Sequence, residues 1–152
     1  MEEIIIRPAT FADMPTLLQF EQGVIAAEKP FDSTLKEHPK YYDLDAMITA
    51  THIEIVVAEL NGAIIASGYA RIEDSKLYLR HPQHAYLGFM YVLPNYRGKG
   101  VNQLIITYLK NWAISKNITE MRLDVYYNNA PAIKAYEKIG FSKHMIEMRM
   151  GI

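Results

Sequence analysis

A glycine-containing loop between a strand pattern and a helix pattern is the stretch of this chain best suited to chemistry. Residues 86–93 are apolar or aromatic apart from one glycine, and Pro94 ends this strand because proline cannot donate to a sheet ladder. Apolar residues then recur on one helix face from Val101. Free amides at a helix start, together with the helix dipole, favour an anion. We therefore predict that phosphate or pyrophosphate binds the loop formed by Arg97, Gly98, Lys99 and Gly100.

Other phosphate-binding patterns do not fit this loop. No Gly-Lys-Ser/Thr triplet occurs in the chain, and the third glycine of the dinucleotide fingerprint would fall at Gln103. A single Gly-x-Gly is a weak signal, so a tight turn with solvated charges is the alternative interpretation.

Composition limits the classes of protein to be considered. The 152 residues are half apolar, which favours one globular domain over 1–152. A net charge of -1 gives no electrostatic argument for nucleic acid or an anionic membrane. The absence of cysteine excludes disulfides and a cysteine nucleophile, and it fits a cytoplasmic location. The acidic N-terminus does not resemble a signal peptide, and the five scattered histidines indicate no metal site.

Hydrophobic periodicity and turn residues divide the rest of the chain into alternating elements. Asn61-Gly62 predicts a tight hairpin because both residues tolerate positive φ. Thr10 or Asp13 can cap the first helix. The predicted strands are 3–7, 53–60, 63–72 (with 76–79 as an extension of the hairpin), 86–93, 121–126 and a final strand or strand pair over 141–150. The predicted helices are 14–27, 43–51, 101–116 and 130–139, and 28–42 is an ordered loop.

This order predicts an α/β fold with a mixed, mostly antiparallel sheet. The strands at 87–93 and 121–126 should be parallel, because a crossover helix joins them. Ligands bind outside the carboxyl ends of such strands. The loop at 97–100 and residues 126–129 should therefore lie at one mouth.

A second motif, Asn-Ala-Pro-Ala-Ile-Lys-Ala-Tyr-Glu-Lys-Ile-Gly-Phe at 129–141, adds to this interpretation. Together with residues 90–100, it closely resembles the GNAT superfamily of acyl-CoA-dependent N-acetyltransferases. The family's loop pattern, [Q/R]-x-x-G-x-[G/A], maps onto 97–102 and departs at Asn102, which replaces a small residue and could crowd a pyrophosphate. The opening Arg7-Pro8-Ala9 also looks like the family's start. The family's later pattern maps onto Asn129, Ala132, Tyr136, Lys138, Gly140 and Phe141.

The resemblance implies a GNAT-like single domain with about four helices, and acetyl-CoA as the acyl donor. The strand at 88–92 would be bulged and would splay from its parallel neighbour, so that backbone groups near Met90, Tyr91 and Val92 pair with pantetheine. Asn129 would bond the pantetheine arm, although it could equally be a helix N-cap. The amides expected to cradle the pyrophosphate belong to Arg97, Gly98, Lys99, Gly100, Val101 and Asn102.

The resemblance also implies a proton donor. Tyr136 would lie near the thioester sulfur and protonate the departing thiolate, because a phenol with an ordinary pKa near 10 carries a proton at neutral pH. The alternative is a helix tyrosine that packs its ring and exposes its hydroxyl.

The general base is not identified by the motifs. Many family members carry a glutamate on the strand before the loop, and this sequence has Tyr86, Leu87, Gly88 and Phe89 there. The alternatives elsewhere are His84, Glu28, Asp124, His81 or a chain of water molecules. The acceptor should contact residues 28–45, whose charges are mixed, and the Tyr41–Tyr42 pair is expected to be partly buried.

These observations favour acetyl transfer from acetyl-CoA to a primary amine by direct attack, without a metal. A non-catalytic CoA-binding sensor or interaction domain is the alternative, because the strand glutamate is missing. A protein that binds ATP through the same loop is a third hypothesis, which the absent Walker pattern disfavours. Homodimers are common in the resembling family.

Overall fold

The computed structural model describes residues 2–152, which form a five-stranded mixed sheet with helices on both faces. The strands follow chain order across the sheet. They are β1 (Ile5–Pro8), β2 (Ile53–Leu60), β3 (Ala63–Asp74), β4 (Gln83–Val92) and β5 (Met121–Arg122). The α-helices are α1 (Met14–Glu28), α2 (Leu44–Thr49), α3 (Val101–Ser115) and α4 (Ala130–Ile139). Within the described residues, no helix has the length and apolar content needed to cross a membrane.

The central strands are apolar on both faces because both faces are covered. Val56 and Ala58 of β2 pack in a buried cluster with α3, whereas Ile55 and Val57 pack with α1 and α2 on the opposite face. This alternation follows from the two-residue period of a strand. The sheet is therefore the middle layer of the molecule.

The hairpin between β2 and β3 is confirmed. Asn61 and Gly62 both have positive φ, at 51° and 80°, and Leu60 pairs with Ala63 across the turn. A two-residue turn of this kind matches the twist of the flanking strands.

The one parallel pair opens soon after it begins. Ala85 pairs with Met121 and Tyr86 pairs with Arg122, and no further pairs join β4 to β5 in the described chain. The predicted splayed parallel pair is confirmed. Both residue pairs between β4 and β5 lie before residue 87 of β4. β5 ends at Arg122 rather than at residue 126, because the later residues have no ladder partner. The unpaired segments enclose a wedge.

A bulge bends β4 beside this wedge. Tyr69 of β3 is opposite Gly88 and Ser67 is opposite Tyr91, so Phe89 and Met90 share the position of one residue. Phe89 has a φ of 56°, which is unusual for a bulky side chain. The Ser67 hydroxyl donates to the Phe89 carbonyl at 3.0 Å and so satisfies a group that the bulge removes from the ladder.

Two predicted strands are wrong. Residues 76–79 form an exposed turn in which the Leu79 amide donates to the Lys76 carbonyl, and the hairpin strand itself continues to Asp74. Residues 141–150 form no strand, because they lie beside no strand that could pair with them. The bounds of the other elements agree to within a few residues. β1 includes Pro8, which an edge strand tolerates.

Candidate active site

The loop before α3 has the backbone geometry expected of an anion site. Gly98 and Gly100 have φ values of 73° and 80°, a conformation that suits glycine. A Cβ atom at either position would meet nothing within 4 Å, so the space in front of the loop is open. The first helical hydrogen bond of α3 runs from the Leu104 amide to the Gly100 carbonyl. The three amides before it have no partner in the helix ladder and can receive a ligand.

The two cationic side chains of the loop pack against its neighbours. Arg97 Nε donates to the Val92 carbonyl at 2.8 Å, and its guanidinium lies 5.5 Å from the centre of the Tyr91 ring. Lys99 Nζ lies 5.8 Å from the centre of the Tyr96 ring. Arg97 therefore anchors the loop to the end of β4. Its own backbone amide donates to the Pro94 carbonyl at 3.3 Å, so the amides open to a ligand are those that follow it.

A cavity of about 430 Å³ occupies the wedge between β4 and the chain that follows β5. We call it the inner cavity. The β4 bulge forms one wall, α4 contributes Tyr136, and α1 contributes Glu28. Its lining residues are Val24, Glu28, Lys40, Tyr41, Tyr42, Tyr69, Tyr86, Leu87, Gly88, Phe89, Met90, Leu123, Asp124 and Tyr136.

Tyr136 lies at the junction between the inner cavity and the anion loop. Burial raises the pKa of its phenol, and a hydrogen bond from the Asn102 side chain offsets part of that rise. Phe141 packs edge-on against the ring at 5.9 Å. The phenol is therefore protonated at neutral pH. The structure places Asn102, the residue that departs from the family pattern, beside this hydroxyl.

Asn129 caps α4. Its side-chain oxygen accepts from the Ala132 amide at 3.4 Å, at the start of the helix that carries Tyr136. The N-cap interpretation of Asn129 is therefore correct.

Neither histidine candidate for the base lines the inner cavity. His84 is 6% exposed, and its ring lies 2.8 Å from the Ser75 hydroxyl. His81 lies 3.3 Å from Glu120. Both rings are engaged away from the wedge, which leaves the two carboxylate candidates.

Glu28 and Asp124 both line the inner cavity, and each contacts a tyrosine hydroxyl. Burial raises the pKa of Glu28, and a hydrogen bond from Tyr41 partly offsets the rise. The Tyr86 hydroxyl donates to Asp124 Oδ2 at 3.1 Å. A half-buried carboxylate whose pKa is raised is suited to accept a proton near neutral pH.

A second cavity of about 610 Å³ adjoins the first and shares five of its residues: Tyr41, Tyr42, Tyr69, Tyr86 and Asp124. We call it the outer cavity. It adds Asp43, Met47, Arg71 and Glu73. Arg71 pairs with Glu73 at 2.6 Å, and its guanidinium lies 5.6 Å and 5.4 Å from the ring centres of Tyr69 and Tyr86.

A buried carboxylate on α1 fixes the backbone of Tyr41 and Tyr42, two residues that line both cavities. Glu21 is 3% exposed, and its Oε2 accepts from the backbone amides of Tyr41 and Tyr42 at 3.0 and 2.8 Å. The Tyr42 ring then packs at 4.9 Å on Phe89 of the bulge. The expected partial burial of the Tyr41–Tyr42 pair is confirmed.

Several residues that shape the cavities were not predicted from sequence, namely Glu21, Ser67, Tyr69, Arg71 and Tyr86. They carry no motif. Ser67, Tyr69 and Arg71 alternate along β3, whereas Glu21 and Tyr86 come from α1 and β4. The chain has 11 tyrosines, and this abundance was the signal that could have indicated an aromatic site. Over residues 2–152, no group of three or more His, Cys, Asp or Glu side chains could hold a metal ion.

Comparison with solved structures gives the fold class. The chain is similar over 97% of its length to 99% of a Bacillus halodurans protein, with a TM-score of 0.85 and 20% identity. It is similar over 98% of its length to 96% of a predicted acetyltransferase from Clostridium acetobutylicum with acetyl-CoA, with a TM-score of 0.70 and 21% identity. The chain is also similar over 97% of its length to 100% of an aminoglycoside N-acetyltransferase, AAC(6')-Iy, in complex with CoA, with a TM-score of 0.74 and 20% identity.

Sequence comparison gives the family. Residues 22–141 match the sequence model of the Acetyltransferase (GNAT) family, and the chain belongs to this family. It is also 40% identical over 53 residues to streptothricin acetyltransferase from Escherichia coli. That match covers 35% of this chain and 30% of the relative, so the chain matches less than a third of that protein's length. The predicted fold and family are confirmed.

The contact between Gly88 and Tyr69 gives a direct test of the cavity wall. A Cβ at Gly88 would lie 2.4 Å from the Tyr69 phenol, which lines both cavities. We expect Gly88→Ala to cost about 1–3 kcal/mol of unfolding free energy, because the ring must move within a packed core. Chemical denaturation measures this cost. In a Tyr69→Leu background the same change should cost much less, and equal costs in the two backgrounds would contradict the assigned contact.

Proposed function

We propose that this protein transfers an acetyl group from acetyl-CoA to a primary amine of a small molecule or peptide. The observation that carries the proposal is the wedge, where a bulged strand, an open anion loop and a protonated tyrosine meet. Family membership supports the reaction class. The CoA complex of a neighbour with the same fold supports the donor.

The donor would lie along β4 and end at the loop. Beyond Tyr86, β4 has no ladder partner on the wedge side, so pantetheine amides can pair with backbone near Met90, Tyr91 and Val92 as an added strand does. Asn129 would bond the pantetheine arm from the start of α4. The pyrophosphate would rest on the amides of Gly98, Lys99, Gly100, Val101 and Asn102, because the Arg97 amide, which the sequence resemblance also implies, donates to the Pro94 carbonyl.

Direct attack needs one proton acceptor and one proton donor. A neutral amine forms a bond to the thioester carbonyl carbon, and a backbone amide of the bulge stabilises the oxyanion. The carbon–sulfur bond then breaks, and Tyr136 gives its proton to the thiolate. The pKa of Tyr136 is raised by burial, so the phenol is protonated when the thiolate leaves.

Glu28 is the base that we propose, because it lines the same cavity as Tyr136 and the bulge. It takes the place of the glutamate that other family members carry on β4. Because burial raises its pKa, its carboxylate form accepts a proton from an ammonium more readily than an ordinary glutamate does.

Isothermal titration calorimetry tests the donor site. Wild-type protein should bind acetyl-CoA with micromolar affinity and should not bind ATP. Gly100→Val should weaken acetyl-CoA binding at least tenfold, because a β-branched residue does not tolerate a φ of 80°. Gly62→Val is the matched control, since Gly62 has the same φ and equally open surroundings in the β2–β3 turn.

The control separates backbone strain from ligand binding. Both variants should lose unfolding free energy, whereas only Gly100→Val should lose acetyl-CoA. Full affinity in Gly100→Val would refute the pyrophosphate loop. Binding without turnover of any amine would favour the non-catalytic CoA-binding alternative.

The pH dependence of acetyl transfer tests the acid and the base. Because the pKa of Glu28 is raised, kcat/KM should fall as pH drops through that pKa and the carboxylate is protonated. Glu28→Gln should remove this limb and lower kcat by about 10²-fold. Tyr136→Phe should lower kcat similarly at every pH and leave the Kd for acetyl-CoA unchanged.

Glu37→Gln is the control for Glu28→Gln, since Glu37 lies in the adjoining loop and its side chain is 90% exposed. It should retain the wild-type pH profile. An unchanged profile in Glu28→Gln would transfer the base role to Asp124, which Asp124→Asn would then test.

We further propose that the acceptor carries a second positive charge. The two cavities together hold the carboxylates of Glu28, Asp43, Glu73 and Asp124. Two cations also line the cavities, Arg71, which pairs with Glu73, and Lys40, so the carboxylates outnumber the cations by four to two. Tyrosine faces and free carboxylates favour an ammonium. The reacting amine would sit in the inner cavity and the second ammonium in the outer cavity.

Asp43→Asn tests this charge preference. Asparagine caps a helix as well as aspartate does, so the variant keeps the α2 cap and removes only the charge. We expect KM for 1,5-diaminopentane to rise about 2- to 5-fold and KM for 1-aminopentane to stay constant. Asp45→Asn, on the exposed side of α2, is the control. An equal change for both amines would contradict a second cationic subsite.

We propose a cytoplasmic location for this single-domain chain, because its cysteine-free composition suits a reducing compartment. We also propose that it forms a homodimer.

A further inference from the structure

Two buried polar side chains lie where the β3–β4 hairpin turns. Within residues 2–152, the buried polar side chains are Asp13, Glu21, Ser67, Ser75 and His84. Asp13 pairs with the arginine of β1, Glu21 holds two loop amides, and Ser67 satisfies the bulge. A buried imidazole is costly unless its nitrogens have partners, so the groups that His84 faces indicate what it does.

The His84 ring lies between a hydroxyl and a carboxylate. Its Nδ1 is 2.8 Å from the Ser75 hydroxyl, and its Nε2 is 3.5 Å from Glu73 Oε1. A carboxylate repels an imidazole lone pair, which favours a hydrogen on Nε2 and leaves Nδ1 to accept from Ser75. The Ser75 amide donates to the Pro82 carbonyl at 2.8 Å, so the hydroxyl belongs to a fixed backbone. The imidazole therefore connects an anchored hydroxyl to Glu73.

Glu73 extends this contact to the outer cavity. Its second oxygen, Oε2, accepts from Arg71 Nε at 2.8 Å and lies 2.6 Å from Arg71 Nη2. Glu73 and Arg71 line the outer cavity, whereas His84 lies behind them. Each oxygen of the carboxylate thus has its own partner, the buried ring on one side and the guanidinium on the other.

Strand register explains why these side chains meet. Arg71 and Glu73 alternate along β3 and therefore face the same side of the sheet. Across the hairpin, Arg71 pairs with Tyr86 and Glu73 pairs with His84, and side chains directly opposite in antiparallel strands are within reach of each other. The row ends at Arg71, whose guanidinium lies 5.6 Å and 5.4 Å from the ring centres of Tyr69 and Tyr86.

We propose that His84 is a positioning residue of the acceptor site, which acts through Glu73 to hold Arg71 against the tyrosine rings of the outer cavity. The inference rests on the proposed function, because the outer cavity is where the second ammonium of the acceptor would sit. A fixed guanidinium sets the shape of this cavity before the acceptor arrives. Without the imidazole, one carboxylate oxygen loses its partner, and binding must order the Arg71–Glu73 pair at the cost of affinity.

NMR relaxation of the Arg71 Nε–Hε group tests the positioning without any reaction. This group should be ordered in the wild-type protein, and His84→Leu should make it mobile on the ps–ns timescale. His84→Gln should keep it ordered, because glutamine supplies an amide donor for Glu73 and a carbonyl acceptor for Ser75. His81→Leu is the matched control, since His81 lies three residues away and lines neither cavity, and it should leave Arg71 ordered.

Steady-state kinetics test the effect on the acceptor. His84→Leu should raise KM for 1,5-diaminopentane about 2- to 10-fold, which is the cost of ordering one side chain on binding. KM for 1-aminopentane and the Kd for acetyl-CoA should stay constant, because neither ligand reaches the outer cavity. His84→Gln should restore the wild-type KM. In an Arg71→Leu background, His84→Leu should have no further effect on KM, because it acts through that guanidinium.

Three results would overturn the proposal. An ordered Arg71 in His84→Leu would show that the imidazole does not hold the guanidinium. A mobile Arg71 with an unchanged KM for the diamine would make the role of His84 structural only. An equal rise in KM in the Arg71→Leu background would place the effect of His84 on another group.

A second variant keeps the test decisive if His84→Leu does not fold. Ser75→Ala removes the hydroxyl partner alone, and it should mobilise Arg71 and raise KM for the diamine by a smaller factor; no change in either quantity would refute the proposal. Absence of turnover in the wild-type protein would be a failure of the proposed reaction, and the relaxation of Arg71 would still decide whether His84 positions it.

Discussion

The structure depends on the early loss of pairing between β4 and β5. Two residue pairs hold these strands together, and beyond them a gap separates β4 from the chain that follows the edge strand β5. The bulge at Phe89 bends one wall of the gap, and the buried Ser67 hydroxyl satisfies the carbonyl that the bend leaves free. A gap in a sheet exposes backbone donors and acceptors that must find partners. A ligand with its own amides can satisfy those groups, and this is the physical basis of a donor site here.

The loop that carries Tyr41 and Tyr42 beside the site is held by hydrogen bonds to a buried side chain. Glu21 is buried in α1 and accepts from the amides of Tyr41 and Tyr42, which fixes a loop that has little secondary structure of its own. The tyrosine rings then pack on Tyr69 and on the bulge. One buried carboxylate thus connects the first helix, the acceptor side of the cavity and the strand that would bind the donor.

The base that we propose lies on a different element from the strand position at which the family resemblance implies a glutamate. The strand position that bears a glutamate in many relatives is occupied here by aromatic, leucine and glycine residues. The carboxylates that line the cavity come instead from the end of α1 and from the chain after β5. Proton transfer requires a group within reach and with a suitable pKa, and it does not require a particular strand.

The sequence by itself determined most of the architecture. Asn61-Gly62 fixed the hairpin, Pro94 ended β4, and Asn129 and Gly140 bounded α4, because each of these effects is local. The two family motifs also identified the family and the residues proposed to bind the donor. The sequence predicted a final strand or strand pair over residues 141–150, but a strand also needs a neighbour. Only the tertiary structure decided that no neighbour lies within the described chain.

The tertiary structure likewise decided which side chains share the cavities. Glu21 is distant in sequence from Tyr69 and Arg71 of β3 and from Tyr86 of β4, and none of them carries a motif, so only packing reveals that they surround the same site. It also removed His81 and His84 from the candidates for the base, since both rings are engaged elsewhere. Local geometry follows from short-range backbone preferences that a sequence displays. Cavities, burial and the pKa shifts that burial causes depend on contacts between distant residues, and these exist only in the folded chain.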